Sequence, residues 1–145
     1  RDNVAPLVEA VALATADLRT VGRRVEVLFV DDSDDDTADV VRAVSLTSPV
    51  DVAVIHRTGA DRWGGLGGAV VDGFAAASGE LAVVIDGDLQ HPPSIVPQLV
   101  HVLEAGTGSV DLVAASRRIP GGSDGVGSPA DGRGFAVGGS PIQLL

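Results

Sequence analysis

The chain has 145 residues and a net charge of −10, with 20 acidic side chains against 10 basic ones and no cysteine. This length suits one domain, and the charge excludes the clustered Lys and Arg that neutralise nucleic-acid phosphates. The lack of cysteine excludes disulfides, thiolate zinc sites and a Cys nucleophile. Because no apolar run approaches about 18 residues, we expect no membrane-spanning helix.

Predicted helices and strands alternate along the chain. Apolar residues at helical spacing predict helices over residues 4–19 and about 37–46, 67–78 and 94–105. Continuous apolar runs predict strands at residues 25–30, 50–55, 81–85 and 110–115, the third of them buried on both faces. This alternation indicates βαβ units and a parallel α/β sheet. The Gly-rich residues 121–140 show no period, which predicts a loop.

Two carboxylates directly follow the strand predicted at residues 81–85. Asp86 and Asp88 flank Gly87, and alternate residues of an extended segment point the same way. We therefore expect both to converge at the carboxyl end of the strand, where α/β sheets bind ligands, while Gly87 permits close backbone approach. Two hard carboxylates suit Mg²⁺ or Mn²⁺ carrying a diphosphate. The three residues alone fit a solvated Asp-Gly-Asp turn equally well.

An acidic run follows the strand predicted at residues 25–30. An EF-hand loop starting at Asp32 is rejected, because its Gly and final Glu positions hold Thr37 and Ala43. Asp31 and Asp32 close the strand at the same sheet edge as Asp86, where a carboxylate can accept hydrogen bonds from a nucleobase N–H or a ribose hydroxyl. Helix capping or solvation is the interpretation for the remaining acids, Asp34, Asp35, Asp36 and Asp39.

A Gly-rich segment, residues 64–68, precedes the third predicted helix. It fails as a dinucleotide fingerprint, because Val70 stands where the third Gly or Ala should be and the segment starts about eight residues after its strand. We interpret the glycines as allowing close packing of the helix under the sheet, with Arg57 or Arg62 near a diphosphate. A purely structural role for Arg62 and Trp63 is equally compatible with the sequence.

Four segments stand in order: VDDSDDDT, HR followed by GGLGGAVVDGF, IDGDLQHPP, and DLVAASRR followed by GG. Together they resemble the family 2 glycosyltransferases of the GT-A fold and, more narrowly, the dolichyl- or polyprenyl-phosphate mannose or glucose synthases. The DGDLQHPP piece is specific to the narrower group, whereas DDS and GGLG are shared more widely. The resemblance covers about residues 1–125 and implies a Rossmann-like, mostly parallel sheet with helices on both faces.

The resemblance also sets expectations for the extent of the domain. Residues 1–120 would form a partial nucleotide-sugar-binding catalytic domain, and residues 121–145 a Gly-rich loop or tail. The family begins with a strand whose nucleotide-contacting end would fall just before Asn3. We therefore expect the sheet to lack its first strand.

Each matched site residue carries an implied role. Asp86 and Asp88 would hold Mg²⁺ or Mn²⁺ and the sugar diphosphate, with the amide oxygen of Gln90 as a third metal ligand. Asp88 and Arg117 are the catalytic candidates, and the planar fork of Arg117 suits a donor or acceptor phosphate. The expected nucleotide-sugar contacts are Val30, Asp31, Asp32, Asp86, Gly87, Asp88 and Arg117.

The implied reaction is an inverting, metal-dependent transfer of mannose or glucose from GDP-mannose or UDP-glucose to a polyprenyl or dolichyl phosphate. Because that acceptor is already anionic, no strong general base is needed; His91 is expected to be a turn residue, and His56 and His101 are expected to be structural. The expected location is the cytoplasmic face of a membrane, with peripheral contact by the full-length protein. Two alternatives stay open: an inactive truncated fragment, and a sugar nucleotidyltransferase.

Overall fold

The computed structural model describes residues 1–106, 110–116 and 136–138, which form two compact units, Arg1–Ser94 and Ile95–Leu145. The helices are α1 (Val4–Ala14), α2 (Ala16–Thr20), α3 (Thr37–Ser45), α4 (Gly65–Ala76) and α5 (Val96–Ala105). The strands are β1 (Glu26–Asp31), β2 (Asp51–His56), β3 (Ala114–Ser116) and β4 (Ala136–Gly138), with 3₁₀ turns at Gly59–Arg62 and Pro93–Ile95. The α/β class predicted from the sequence is confirmed.

A parallel pair of strands organises the first unit. β1 and β2 pair in register from Glu26 opposite Asp51 to Asp31 opposite His56. Because the two strands run in the same direction and end level with each other, the residues that follow them meet at one edge. Helix α3 connects the two strands, as a parallel crossover requires.

Helices cover both faces of this pair. An apolar cluster lies on the face covered by α1 and α3; its members are Val8, Ala12 and Val50, with Val25, Val27, Phe29, Val44 and Val52 packed against them. Val30 points to the opposite face from Phe29, since side chains alternate along a strand. There it meets α4 closely: a Cβ placed on Gly73 would lie 3.3 Å from Cγ2 of Val30. The expectation of helices on both faces is confirmed.

The first predicted helix is broken at Thr15. The sequence predicted one helix over residues 4–19, but α1 ends at Ala14 and α2 begins at Ala16. The hydroxyl of Thr15 donates to the carbonyl of Val11 at 2.7 Å, and Thr15 is only 1% exposed. Such a side-chain bond to the preceding turn competes with regular helical geometry.

The apolar run at residues 81–85 is the largest difference from the sequence prediction. It forms no strand, and Leu81, Val83 and Val84 are 39%, 37% and 59% exposed. A strand needs a neighbour to bond its N–H and C=O groups, and among the described residues no strand pairs with this run. The predicted buried strand was therefore wrong. Within the described residues β1 pairs with β2 alone, in agreement with the expected lack of a first strand.

The second unit contains α5 and a short antiparallel pair. The strand predicted at residues 110–115 is only Ala114–Ser116, and it pairs antiparallel with Ala136–Gly138, inside a segment predicted to be a loop. Arg117 and the predicted boundary at residue 120 lie outside the described residues. In the part of the chain that the structure describes, no helix is long and apolar enough to cross a membrane.

Candidate functional site

The carboxyl ends of β1 and β2 carry two acids and two basic groups, Asp31, Asp32, His56 and Arg57, here called the strand-end cluster. Asp31 is 8% exposed. Its Oδ1 accepts the backbone N–H of Ser33 at 3.1 Å, and its Oδ2 lies 2.8 Å from Nδ1 of His56. Asp31 is thus held inside the cluster by its own chain, and its predicted contact with the nucleotide sugar stays a prediction.

Asp32 and Arg57 form a two-pronged ion pair. Nε of Arg57 donates to Oδ1 of Asp32 at 2.7 Å, and Nη2 donates to Oδ2 at 2.6 Å. This hydrogen bonding holds the pKa of the Asp32 carboxyl below its usual value. Asp32 therefore acts only as an acceptor, and about two of its four lone-pair sites stay available. Its side chain is 36% exposed, so a ligand N–H or O–H can reach it.

Arg57 also reaches α4. Its Nη1 donates to Oδ2 of Asp72 at 3.0 Å, and Nη2 donates to the carbonyl of Gly65 at 3.0 Å. These bonds, above all the one to Asp32, raise the pKa of Arg57, and the side chain is only 2% exposed. From the sequence we expected Arg57 or Arg62 near a diphosphate, which stays a prediction; the structure buries the Arg57 side chain. A signal was available, because parallel strands ending in Asp-Asp and His-Arg bring opposite charges side by side.

The glycine segment, residues 64–68, packs under this arginine. A Cβ on Gly68 would lie 2.0 Å from the carbonyl oxygen of Trp63 and 3.1 Å from Nη1 of Arg57, so no side chain fits there. Gly64 has a φ of +68°, a conformation that favours glycine. Gly68 fits the expectation that the glycines allow close helix packing, whereas a Cβ on Gly65 or Gly67 would meet nothing within 4 Å.

Arg62 joins the loops that follow the two strands. Its Nε donates to the carbonyl of Arg57 at 2.9 Å, and its Nη2 donates to the carbonyl of Ser33 at 3.0 Å and to the carboxylate of Asp34. The bond to Asp34 is also what lowers the pKa of that carboxyl. Trp63 is 58% exposed. The contacts of Arg62 support the structural interpretation that the sequence left open.

The start of α3 is capped by Asp35. Its Oδ1 accepts the backbone N–H of Thr37 at 2.9 Å, the hydroxyl of Thr37 and the hydroxyl of Ser33 at 2.9 Å. These bonds, led by the Thr37 hydroxyl, lower the pKa of Asp35 to about 2. Asp36 directly precedes the helix but makes no side-chain cap bond. Helix capping, the sequence interpretation for this part of the acidic run, is confirmed for Asp35.

Residues 86–91, here called the acidic turn, are arranged differently. Oδ1 of Asp88 accepts the backbone N–H of Gln90 at 2.9 Å, and Leu89 between them has a φ of +64°. Nδ1 of His91 lies 3.5 Å from Oδ2 of Asp86, whose side chain is 58% exposed.

The acidic turn is open at the positions expected to bind a ligand. A Cβ placed on Gly87 would meet no atom within 4 Å, so nothing crowds the backbone there. Within residues 1–106 and 110–116, no three His, Asp or Glu side chains gather into a ready metal site. The predicted roles of Asp86, Asp88 and Gln90 stay predictions, and Arg117 lies outside the described residues.

The fold and the polar cluster together define the class of protein to which this chain belongs. The first unit is an α/β domain with a parallel strand pair, helices on both faces and its polar cluster at the carboxyl ends of the strands, where such domains bind ligands. The model of glycosyl transferase family 2 matches residues 2–135. The chain belongs to this family, and its fold is accordingly of the GT-A type.

Within this family, the chain is similar to two transferases of known type. Over 101 residues the chain is 40% identical to the dolichol-phosphate mannosyltransferase of Pyrococcus furiosus, covering 70% of this chain and 27% of the relative. Over 106 residues it is 32% identical to the undecaprenyl-phosphate 4-deoxy-4-formamido-L-arabinose transferase of Yersinia pestis, covering 72% of this chain and 31% of the relative. The chain thus spans less than a third of the length of either relative. No solved structure matches it.

Proposed function

We propose that this chain is the nucleotide-sugar-binding part of a glycosyltransferase that moves a hexose, mannose or glucose, from a nucleotide sugar to a polyprenyl or dolichyl phosphate. The observation that carries the proposal is the similarity to two transferases whose names both pair a sugar with a polyprenol phosphate. The segment DGDLQHPP, residues 86–93, supports the same acceptor class.

The strand-end cluster supplies the nucleoside end of the proposed donor site. Asp32 is a fixed, ionised acceptor with lone pairs to spare, which suits the ring N–H of guanine or uracil or a ribose hydroxyl. Val30 offers backbone groups next to it. Asp31 is bonded within the chain on both oxygens, and we propose that it supports the site by fixing the path of the backbone.

The acidic turn supplies the proposed metal and diphosphate end. Magnesium is usually held by one or two carboxylates together with substrate phosphates, and not by a cage made entirely of protein groups. Asp86 and Asp88, both exposed, and the Gln90 amide fit this mode of coordination. Among the described residues no third acid gathers with them. Asp86, Asp88 and Gln90 would hold Mg²⁺ or Mn²⁺, and the ion would neutralise charge on the departing diphosphate.

The proposed acceptor does not have to be deprotonated before it reacts. A polyprenyl phosphate oxygen is already anionic, so it can attack the anomeric carbon with inversion and without a general base. We propose that Arg117 binds a donor or acceptor phosphate with its two-pronged guanidinium. Because the acceptor is a membrane lipid, we also propose that the full-length protein acts at the cytoplasmic face of a membrane through peripheral contact.

Calorimetry with Mn²⁺ and GDP or UDP tests the donor site directly. Replacing Asp86 or Asp88 by Asn removes a hard anionic ligand, so the metal-dependent binding should fall at least about tenfold. Asp51→Asn is the matched control: it makes the same change in an exposed pair with Arg24, at the opposite end of β2. It should bind as the parent chain does.

The outcomes separate the alternatives. Binding that depends on Asp86 and Asp88 supports the donor site, and a panel of GDP-mannose and UDP-glucose with a polyprenyl phosphate acceptor then identifies the sugar. Full binding by both Asn variants would refute the metal assignment. A parent chain that binds neither nucleotide would make the donor-binding role wrong and leave an inactive fragment. Release of pyrophosphate from a nucleoside triphosphate and a sugar phosphate would indicate a nucleotidyltransferase.

A further inference from the structure

We propose that Arg57 is a positioning residue, which orients the carboxylate of Asp32 for nucleoside recognition. The glycine segment would then leave space for Arg57 and would not bind phosphate. The proposal rests on the proposed function, because it takes Asp32 as the residue that contacts the nucleoside. It assigns a task to an arginine whose side chain is only 2% exposed.

The two members of the Arg57–Asp32 ion pair differ in exposure. Arg57 is 2% exposed and Asp32 is 36% exposed. The guanidinium therefore lies underneath and the carboxylate on top. Two parallel hydrogen bonds of 2.7 and 2.6 Å fix the plane of the carboxylate as well as its position. A ligand that bonds to Asp32 then meets an acceptor whose orientation is already set.

Arg57 is itself held in place by hydrogen bonds to α4. The carboxylate of Asp72, in the middle of α4, accepts a hydrogen bond from Nη1 of Arg57. The carbonyl of Gly65, at the start of α4, accepts one from Nη2. Four of the five guanidinium N–H groups are thereby used. Lysine could not reproduce this arrangement, since its ammonium is a point charge without a planar fork.

The glycine segment leaves space beside Arg57. A Cβ on Gly68 would lie 2.0 Å from the carbonyl oxygen of Trp63 and 3.1 Å from Nη1 of Arg57, so the missing side chain leaves room for both groups. A Cβ on Gly67, by contrast, would meet nothing within 4 Å. The need for glycine is therefore strongest at the residue that touches Arg57. Nucleoside recognition would in this way depend on α4, although none of its side chains is proposed to touch the ligand.

Comparing two ligands tests this role. Calorimetry with the 145-residue chain would measure Mn²⁺ with GDP or UDP, and Mn²⁺ with inorganic pyrophosphate, which lacks the nucleoside. Arg57→Lys should weaken nucleoside diphosphate binding about tenfold, because the charged pair loses its geometry. Pyrophosphate binding should change by less than about twofold, because pyrophosphate lacks the nucleoside that Asp32 is proposed to contact.

A double-mutant cycle with Asp32→Asn shows whether Arg57 acts through Asp32. If it does, Arg57→Lys should add less than about twofold in the Asp32→Asn background. The matched control is Arg24→Lys, because the side chain of Arg24 is 86% exposed and pairs with Asp51 at the other end of the strands. It should leave both ligands unaffected. Asp72→Asn keeps the Arg57–Asp32 pair and should cause a smaller loss, about threefold, confined to the nucleoside diphosphates.

The possible results distinguish a positioning role of Arg57 from a structural one, and both from failure of the proposed donor site. An equal loss for pyrophosphate and nucleoside diphosphate, or fully additive effects with Asp32→Asn, would make Arg57 a structural residue while the donor site stands. Should Arg57→Lys fail to fold, Asp72→Asn gives the same comparison of ligands. A parent chain that binds neither ligand refutes the proposed function and the nucleoside contact with it. Binding of pyrophosphate alone refutes the nucleoside contact and leaves the metal site intact.

Discussion

The strand-end cluster and the acidic turn both place aspartates where a ligand is expected, but the structure supports them differently. In the cluster, Asp31 and Asp32 are bonded to side chains of the neighbouring strand end, His56 and Arg57. In the turn, the described bond of Asp88 goes to the backbone only two residues away. One pair of acids is oriented by the sheet and the other by a local turn.

The difference teaches what a parallel strand pair contributes to a site. Because β1 and β2 are paired in register, the two strands end at the same level. Oppositely charged side chains at the two strand ends can therefore meet without any long loop. Residues 81–85 have the apolar composition of a strand but no pairing among the described residues. The aspartates that follow them therefore gain no such support. We expect changes beneath the cluster to affect folding strongly and changes in the turn to affect it weakly.

The largest expected effect comes from Gly68→Ala. The new methyl group would lie 2.0 Å from the carbonyl oxygen of Trp63, so the start of α4 must shift, and Arg57 with it. Overpacking of this severity should lower the free energy of unfolding by about 3 kcal/mol. Urea denaturation measures the loss, and nucleoside diphosphate binding should fall with it.

Gly67→Ala is the matched control one residue earlier. A Cβ there meets nothing within 4 Å, and alanine favours the helix. The free energy of unfolding should stay the same or rise by up to about 1 kcal/mol. If Gly68→Ala were as stable as Gly67→Ala, the close seat described for Arg57 would be wrong.

Sequence reasoning succeeded where local patterns decide the structure. The strands at residues 25–30 and 50–55 and the helices after them follow from apolar periodicity, and the structure has them within one or two residues. The capping role in the acidic run likewise depends on neighbours in the sequence, as Asp35 and Thr37 illustrate. The family resemblance was carried by short motifs and is confirmed by the family match.

Sequence reasoning failed where partners distant in the chain decide. Whether residues 81–85 become a strand depends on a neighbouring strand, which the composition of the run cannot reveal. The burial of Arg57 depends on Asp32, 25 residues away, and on Asp72, 15 residues away. From the sequence we expected this arginine or Arg62 near a diphosphate. Register between the two predicted strands would have been the better guide.

Leu89 gives a smaller test, within the acidic turn. Its φ of +64° is unfavourable for a branched aliphatic residue, by roughly 1 kcal/mol or more. Leu89→Asn should raise the free energy of unfolding by about 0.5 kcal/mol, since Asn tolerates this conformation. Leu89→Val should lower it by about 1 kcal/mol because of its branched Cβ. Equal stability of the two variants in urea denaturation would contradict the left-handed turn.

The smallest expected effect is the acid sensitivity of the α3 cap. The folded pKa of Asp35, about 2, lies below its ordinary value of 3.8. Its stabilising contribution is therefore present above pH 3.8 and is lost as the pH falls through about 2. Asp35→Ala should lower the melting temperature by a few degrees at pH 5, and this difference should shrink as the pH falls toward about 2 and vanish below it.

Asp36→Ala sharpens that measurement. Asp36 makes no cap bond, and its described partner is Arg1 at 3.4 Å across an exposed surface, an arrangement that stabilises little. Its substitution should move the melting temperature less than Asp35→Ala does at pH 5. A difference between Asp35→Ala and the parent chain that persisted unchanged down to pH 2 would mean that the ionised carboxylate does not make the cap.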